Sequence, residues 1–215
     1  MPLIVNEIFY SIQGESSFSG CPCVFVRLSG CNLRCSYCDT RYAYDDGEEL
    51  ELPAILEKVG SYPCSLVEIT GGEPLLQNET PGLIFDLLEE GFTVLLETNG
   101  SVDISKVDSR CVRILDIKCP SSGQSQYNDL ANLQRLSNRD EVKFVIGNRD
   151  DYEFAKQIVK QLAALSVNPL HIHCSPVFEK LNPETLARWI LTDHLSVRLH
   201  LQLHKVIWGP HLRGV

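Results

Sequence analysis

Short apolar runs of strand length recur along this chain, with helix-like segments between them and polar clusters at the ends of several. That alternation limits the fold. The runs fall at 4–10, 23–28, 66–70, 93–97, 112–117, 141–146, 170–174 and 198–203. Helical patterns occupy 53–59, 83–90, 129–137, 151–165 and 183–195. Asp150 and Asn182 are the expected N-caps of the last two, with Pro183 at a first helical position. Strands alternating with helices imply an α/β fold with a mostly parallel sheet. The βα units are too few for a closed eight-stranded barrel. An open, partial (β/α) barrel is therefore expected, and a doubly wound sheet is the alternative that periodicity leaves open.

At 215 residues the chain fits a single domain spanning 1–215. Its 44% apolar and 22% charged content is that of an ordinary globular protein. No apolar run approaches the roughly 20 residues that cross a bilayer, so no membrane association is expected. Met1-Pro2-Leu3-Ile4-Val5-Asn6-Glu7 lacks the basic start and apolar core of a signal peptide, which makes the cytoplasm the expected compartment. A formal charge of −9 disfavours nucleic acid as a partner, since that needs a basic footprint.

Chemistry concentrates where strands end. Gly30-Cys31 follows one strand and Thr70-Gly71-Gly72-Glu73-Pro74 another. Thr98-Asn99-Gly100, Lys118-Cys119-Pro120-Ser121-Ser122 and Ser175-Pro176 follow three more. In parallel α/β architectures these C-terminal strand ends share one rim, where ligands bind. The most informative cluster is Cys31-Asn32-Leu33-Arg34-Cys35-Ser36-Tyr37-Cys38, a C-x3-C-x2-C spacing. Three thiolates in one loop can hold three irons of a four-iron cluster and leave the fourth open to a small molecule. A structural zinc site with a distant fourth ligand is the competing use of the same thiols.

The other cysteines invite no disulfide framework: their total is nine, an odd number, in a chain long enough to build a core. Cys111 and Cys174 sit in apolar stretches and read as small buried hydrophobes. Cys21-Pro22-Cys23 is too tight for a familiar metal pair and is expected on the approach to a strand.

Cys31–Cys38 with Thr70-Gly71-Gly72-Glu73-Pro74 resembles the radical S-adenosylmethionine (SAM) enzymes. Asp39-Thr40 after the last cysteine, Ser11-Ile12-Gln13-Gly14-Glu15-Ser16 before the loop, and His204-Lys205-Val206-Ile207-Trp208-Gly209 sharpen the resemblance. It becomes one to the 7-carboxy-7-deazaguanine synthases, over essentially the whole length, and it implies a barrel of the radical SAM type. It implies a 4Fe–4S cluster on Cys31, Cys35 and Cys38, and SAM at Tyr37, Cys38, Asp39, Gly72, Glu73, Asp116, Ile117, Lys118, Ser175, Pro176, Val177 and Phe178. The family often reads Ser-Pro-Lys where this chain has Asp116-Ile117-Lys118, so only Lys118 transfers cleanly. Thr40 is implied as an oxygen ligand of Mg2+.

The implied substrate is 6-carboxy-5,6,7,8-tetrahydropterin, held by Ile12, Gln13, Gly14, Glu15, Arg27, Thr70 and the terminal Val215. The implied reaction is a radical ring contraction with loss of ammonia, with SAM regenerated. An electron donor such as flavodoxin or ferredoxin and a homodimeric assembly complete the expectation.

Each residue also has a plainer use. Glu73 with Pro74 could close a tight turn, Thr40 could cap a helix, and Gln13–Glu15 could form a surface turn. Strand alternation could point Arg27 at water, although a bidentate carboxylate contact suits it better. His171, His173, His200 and His204 are read as packed or hydrogen-bonded residues, each pair sharing a strand face at even spacing. A glycyl-radical activating enzyme shares the cysteine spacing, and a non-catalytic metal-binding module is the alternative of a different class.

Overall fold

The computed structural model describes residues 1–165, 171–210 and 212–215. Strand β1 (Leu3–Ile12) and strand β2 (Pro22–Leu28) form an antiparallel hairpin, and the short β3 (Glu48–Leu50) pairs antiparallel with β1 on its other side. From β2 onward every pairing is parallel: β4 (Leu66–Gly71), β5 (Thr93–Thr98), β6 (Val112–Ile117), β7 (Glu141–Ile146), β8 (Ile172–Pro176) and β9 (Arg198–Leu199). The nine strands run in the order β3-β1-β2-β4-β5-β6-β7-β8-β9, with β3 and β9 as open edges. Strand position advances steadily with chain position from β4 onward and never reverses. This rules out the doubly wound alternative, whose strand order turns back at a switch point.

Cys23 pairs with Ser11 at the start of β2, so Cys21-Pro22-Cys23 does lead into a strand. The expected strand at 170–174 begins at Ile172, and its first position lies outside the described residues. The strand expected at 198–203 keeps only two residues, because the chain turns at His200 into a short helix, α5 (Leu203–Ile207).

Four longer helices cover the sheet: α1 (Leu52–Gly60), α2 (Thr80–Glu89), α3 (Arg149–Ala164) and α4 (Pro183–Thr192). Asn182 caps α4 by accepting the Glu184 N–H at 2.8 Å, with Pro183 at its first turn. The cap of α3 is Asn148 instead of Asp150, and it accepts the Asp151 N–H at 3.0 Å. Asp150 falls in the first turn, where its charge complements the helix dipole. The segment 129–137 is a 3-10 helix over Leu130–Arg135, with the Asp129 side chain accepting from the Ala131 N–H.

Side-chain alternation along the parallel strands organises the rest. Val67, Ile69, Val94 and Leu96 pack against Ile55 and Val59 of α1 and Leu83, Ile84 and Leu87 of α2. Leu115, Ile117, Val142, Phe144, Ile146 and Cys174 pack against α3 and α4 through Tyr152, Ala155, Leu162 and Leu186. Cys111 and Cys174 are fully buried in these layers, as a small hydrophobe should be. On the opposite, concave face the residues between them are Glu68, Thr70, Glu97, Asp116, Lys118 and Lys143. One end of this interior is plugged by Cys23, Phe25, Leu66, Leu95 and Ile114. The polar groups lie above that plug, toward the C-terminal strand ends.

One buried carboxylate fastens the loop after β6 to the start of α3. Asp151, fully buried, accepts from the Ser121 N–H at 2.8 Å, the Gly147 N–H at 2.7 Å and the Ser121 hydroxyl. Its loss leaves buried donors without a partner, so Asp151→Ala is expected to lower stability by about 2–4 kcal/mol in urea unfolding, with Asp151→Asn losing less.

Candidate active site

The C-x3-C-x2-C loop leaves β2 directly and is anchored by close backbone contact with the end of β4. Gly72 N–H donates to the Leu28 carbonyl at 3.1 Å, and Glu73 N–H to the Gly30 carbonyl at 2.8 Å. A Cβ on Gly71 or Gly72 would collide with the Leu28 or Gly30 carbonyl, and Gly71 also has φ = 136°. Both glycines are therefore required by chain-to-chain proximity. From the other side, Ser36 N–H donates to the Ser122 carbonyl at 3.0 Å and its hydroxyl to the Ser121 carbonyl at 2.8 Å. The loop that Asp151 fastens thus supports the cysteine loop as well.

Cys31, Cys35 and Cys38 are free, half-buried and line one cavity of about 720 Å³, within the range of small-molecule sites. Burial raises the Cys31 and Cys35 thiols above their ordinary pKa, so ligation would displace their protons. Among the described residues no group of His, Cys, Asp and Glu side chains is gathered tightly enough for one ion. That arrangement suits a polynuclear cluster better than a single zinc. Leu33 N–H lies 3.4 Å from the Cys31 sulfur and the Asn99 side-chain amide 3.9 Å from it.

The residues assigned to SAM by resemblance divide into two groups. Tyr37, Asp39, Gly72, Asp116, Lys118, Val177 and Phe178 line the same cavity as the cysteines. Lys118 donates to Asp116 at 2.8 Å. Burial opposes its charge, yet the Asp116 carboxylate and neighbouring Cys35 outweigh that and raise its pKa. Glu73, Ile117, Ser175 and Pro176 do not line the cavity. Glu73 is fully buried, and its carboxylate accepts from Leu75 N–H (3.0 Å), Thr98 Oγ1 (2.8 Å) and Asn99 N–H (2.7 Å). It ties the ends of β4 and β5 together in place of presenting a side chain to a ligand. Ile117 points outward into the helix-covered core, and Ser175 and Pro176 are buried within β8.

Every residue assigned to the substrate lines the cavity: Ile12, Gln13, Gly14, Glu15, Arg27, Thr70 and Val215. Thr40 lines it too, with its hydroxyl donating to Asp39 at 3.0 Å. Arg27 does not point into bulk water. Its Nε donates to Glu7 at 2.8 Å, and its guanidinium lies 5.6 Å from the Phe9 ring centre and 5.8 Å from that of Tyr42. Arg213 stacks on Tyr42 at 3.8 Å, giving the rim a second cation near Arg27.

Deeper in the barrel, Lys143 on β7 joins three carboxylates from different elements. Its ammonium lies 2.5 Å from Glu15, 2.7 Å from Glu97 and 3.8 Å from Asp116. Burial opposes the charge on Lys143, but those carboxylates outweigh it and hold its pKa well above the ordinary lysine value. Burial likewise works against ionised Glu15, and Lys143 prevails, keeping that carboxyl below its ordinary range.

A family model for the radical SAM superfamily matches residues 25–191. A 7-carboxy-7-deazaguanine synthase from Chlorobaculum tepidum is 47% identical, covering 100% of this chain and 98% of its own. One from Koribacter versatilis is 43% identical, covering 98% and 99%. The chain belongs to the 7-carboxy-7-deazaguanine synthase family of radical SAM enzymes. Its fold is that of the QueE crystal structure from Escherichia coli, with a TM-score of 0.79, 23% identity and 94% coverage of both chains. As a radical SAM lyase it uses a 4Fe–4S cluster and SAM, acts on a small molecule and takes electrons from a redox partner. The glycyl-radical activase alternative is not favoured, since these relatives match from end to end.

Several cavity residues of this radical SAM enzyme carried no usable signal in sequence. Lys143 and Glu97 sit in strands that read only as apolar runs, and Glu7 and Tyr42 matter only because Arg27 lies between them. Lys205 pairs with Asp39 at 2.6 Å from α5. Burial opposes ionisation of Asp39, and Lys205 outweighs it, so its pKa lies below the ordinary value. His204 lines the cavity against Gly14 and is no longer on a strand face with His200. His173, read as packed or hydrogen-bonded, has Glu141 2.8 Å away and His200 at 5.4 Å, edge-on. His171, the remaining member of that set, precedes β8 and is partly buried.

Removing the central ammonium strands its acids. Lys143→Met is expected to destabilise the protein by about 3–5 kcal/mol at pH 7. Without the cation, the carboxyls resist ionisation and their folded pKa values rise. Stability is then lost as pH rises, so the deficit shrinks as pH falls to about 5. Urea unfolding at the two pH values measures it.

Proposed function

We propose that this enzyme converts 6-carboxy-5,6,7,8-tetrahydropterin to 7-carboxy-7-deazaguanine and ammonia, with SAM as a regenerated cofactor. The observation that carries this reading is one cavity holding both the cysteine loop and the Gln13–Glu15, Arg27 and Thr70 set. Residues 1–215 act as one radical SAM domain. Cys31, Cys35 and Cys38 hold the cluster, and Tyr37, Asp39, Gly72, Asp116 and Lys118 surround SAM, with Val177 and Phe178 on the facing wall. When bound, these groups supply a 5′-deoxyadenosyl radical that abstracts hydrogen from the substrate.

The chain's own residues bind, orient and shield. Arg27, already oriented by Glu7, presents the rest of its guanidinium to the substrate carboxylate. Ionised Glu15, held by Lys143 and by the Gln202 amide at 2.7 Å, accepts from ring N–H groups. Gln13, whose oxygen accepts the Glu15 N–H at 2.9 Å, fixes the loop that carries both. Thr70 and the backbone of Ile12 and Gly14 complete the ring contacts, and Val215 closes the cavity mouth. Thr40 would offer its hydroxyl to Mg2+, as a hard oxygen donor of the kind that ion takes, and the ion would help orient the substrate. Fixing the ring against the radical source and excluding water are this scaffold's contributions to rate. A flavodoxin or ferredoxin supplies the electron, the enzyme works as a homodimer in the cytoplasm, and neither membrane nor nucleic acid is a partner. Among the described residues no helix is long and apolar enough to cross a membrane.

Anaerobic assay of reconstituted protein with SAM, Mg2+ and the tetrahydropterin tests this. Formation of 7-carboxy-7-deazaguanine with many turnovers per SAM is expected, and loss of both cluster absorbance and activity in Cys35→Ala. Reductive SAM cleavage without that product would refute the substrate assignment. Arg27→Lys, which keeps the charge and loses the planar fork, is expected to raise KM about 10- to 100-fold, as judged by steady-state kinetics.

A further inference from the structure

Carboxyl groups outnumber cations in the depth of this cavity. Glu15, Glu68, Glu97 and Asp116 line it, and the cations paired with this set among the described residues are Lys118 and Lys143. Lys118 pairs with Asp116 at 2.8 Å, while Lys143 pairs with Glu15 at 2.5 Å and Glu97 at 2.7 Å. Glu68 has no cation within pairing distance among the described residues. It is 4% exposed, and its carboxyl accepts a hydrogen bond from the Gln13 side-chain amide. Burial, and then the charges of Glu97 and Glu15, raise its pKa well above the carboxylate range. The buried layer therefore holds more acceptor oxygens than N–H donors, and a ligand rich in donors would satisfy it.

The position of Glu68 defines which part of a ligand it meets. Glu68 and Thr70 share one face of β4, about 6.6 Å apart along the strand. Arg27 is in register with Thr70, and Phe25 with Glu68. The cavity is thus cationic at the level of Arg27 and Arg213, and acidic one step deeper, above the apolar plug containing Phe25. A carboxytetrahydropterin has the matching polarity, with its carboxylate on one ring and its 2-amino and ring N–H donors at the far end of the other.

We propose that Glu68, with Glu97 beside it, is the subsite that reads the donor-rich aminopyrimidinone edge of the substrate and so determines specificity for it. This assignment rests on the tetrahydropterin reading above. The Gln13 amide orients the carboxyl, and the two oxygens accept the parallel N–H groups of the 2-amino edge. Burial and the neighbouring acids favour the protonated form of Glu68 in the free enzyme; accepting two donors requires the carboxylate, so ligand binding is expected to release a proton to solvent.

The test compares the holoenzyme and Glu68→Gln on 6-carboxytetrahydropterin and on its deaminated analogue, which has a 2-oxo group in place of the 2-amino group. The wild type is expected to favour the amino compound by at least about 10-fold in kcat/KM. In E68Q that preference is expected to collapse, mainly through KM, because an amide donates to a 2-oxo group as readily as it accepts from an amine. An unchanged preference in folded, cluster-loaded E68Q overturns the proposal. Calorimetry of the wild type in buffers of different ionisation enthalpy decides the matter even if E68Q does not fold. Proton release on binding the amino compound and none with the oxo analogue supports the subsite, and equal proton exchange with both overturns it. If the wild type does not turn over the tetrahydropterin at all, the substrate reading has failed instead.

Discussion

The geometry of the site depends on two backbones meeting with no side chain between them. Gly71 and Gly72 bring the end of β4 against Leu28 and Gly30, and two N–H groups bond across the contact. The cysteine loop leaves its strand at that point, so its position is set by main chain, the least adjustable part of the protein. Glu73 then fastens the same turn to β5 through Thr98 and Asn99, spending its carboxylate entirely on protein donors. The loop after β6 supports the other side through Ser36, and Asp151 fastens that loop in turn.

The barrel interior carries charge where most proteins place apolar packing. Buried ion pairs often cost as much in desolvation as they return in attraction, so this layer is a weak source of stability. Its consequence is positional. Lys143 draws Glu15, Glu97 and Asp116 from three separate elements onto one ammonium, which holds the β1–β2 turn over the sheet. Apolar helix packing outside and a plug of Phe25, Leu66, Leu95 and Ile114 beneath supply the rigidity that keeps these groups in place. Only a polar ligand is matched to such an interior.

Much of this was legible in the chain itself, and the failures have physical causes. The strand runs, the Asn182 cap and the shared rim of polar clusters are local or periodic signals, and they survive in the structure. Asp150 and Asn148 both cap well in principle, and backbone direction selected Asn148. The strand expected through 203 ended early because His200 donates its N–H to Cys174 before the chain turns toward Gly14. Arg27 was legible as a binding residue but its Glu7 partner was not, since hairpin register brings them together.

By itself, the sequence determined the cysteine spacing, the glycine pair, the α/β rhythm and the family to which the chain belongs, because each is written in contiguous residues. Tertiary structure alone decided which groups share the cavity. It removed Glu73, Ile117, Ser175 and Pro176 from the lining and added Lys143, Glu68, Glu97, His204 and Arg213. Strand alternation tells that two side chains share a face, but whether they meet depends on how the sheet curves. That curvature is set by packing across the whole molecule, and no short stretch of sequence encodes it.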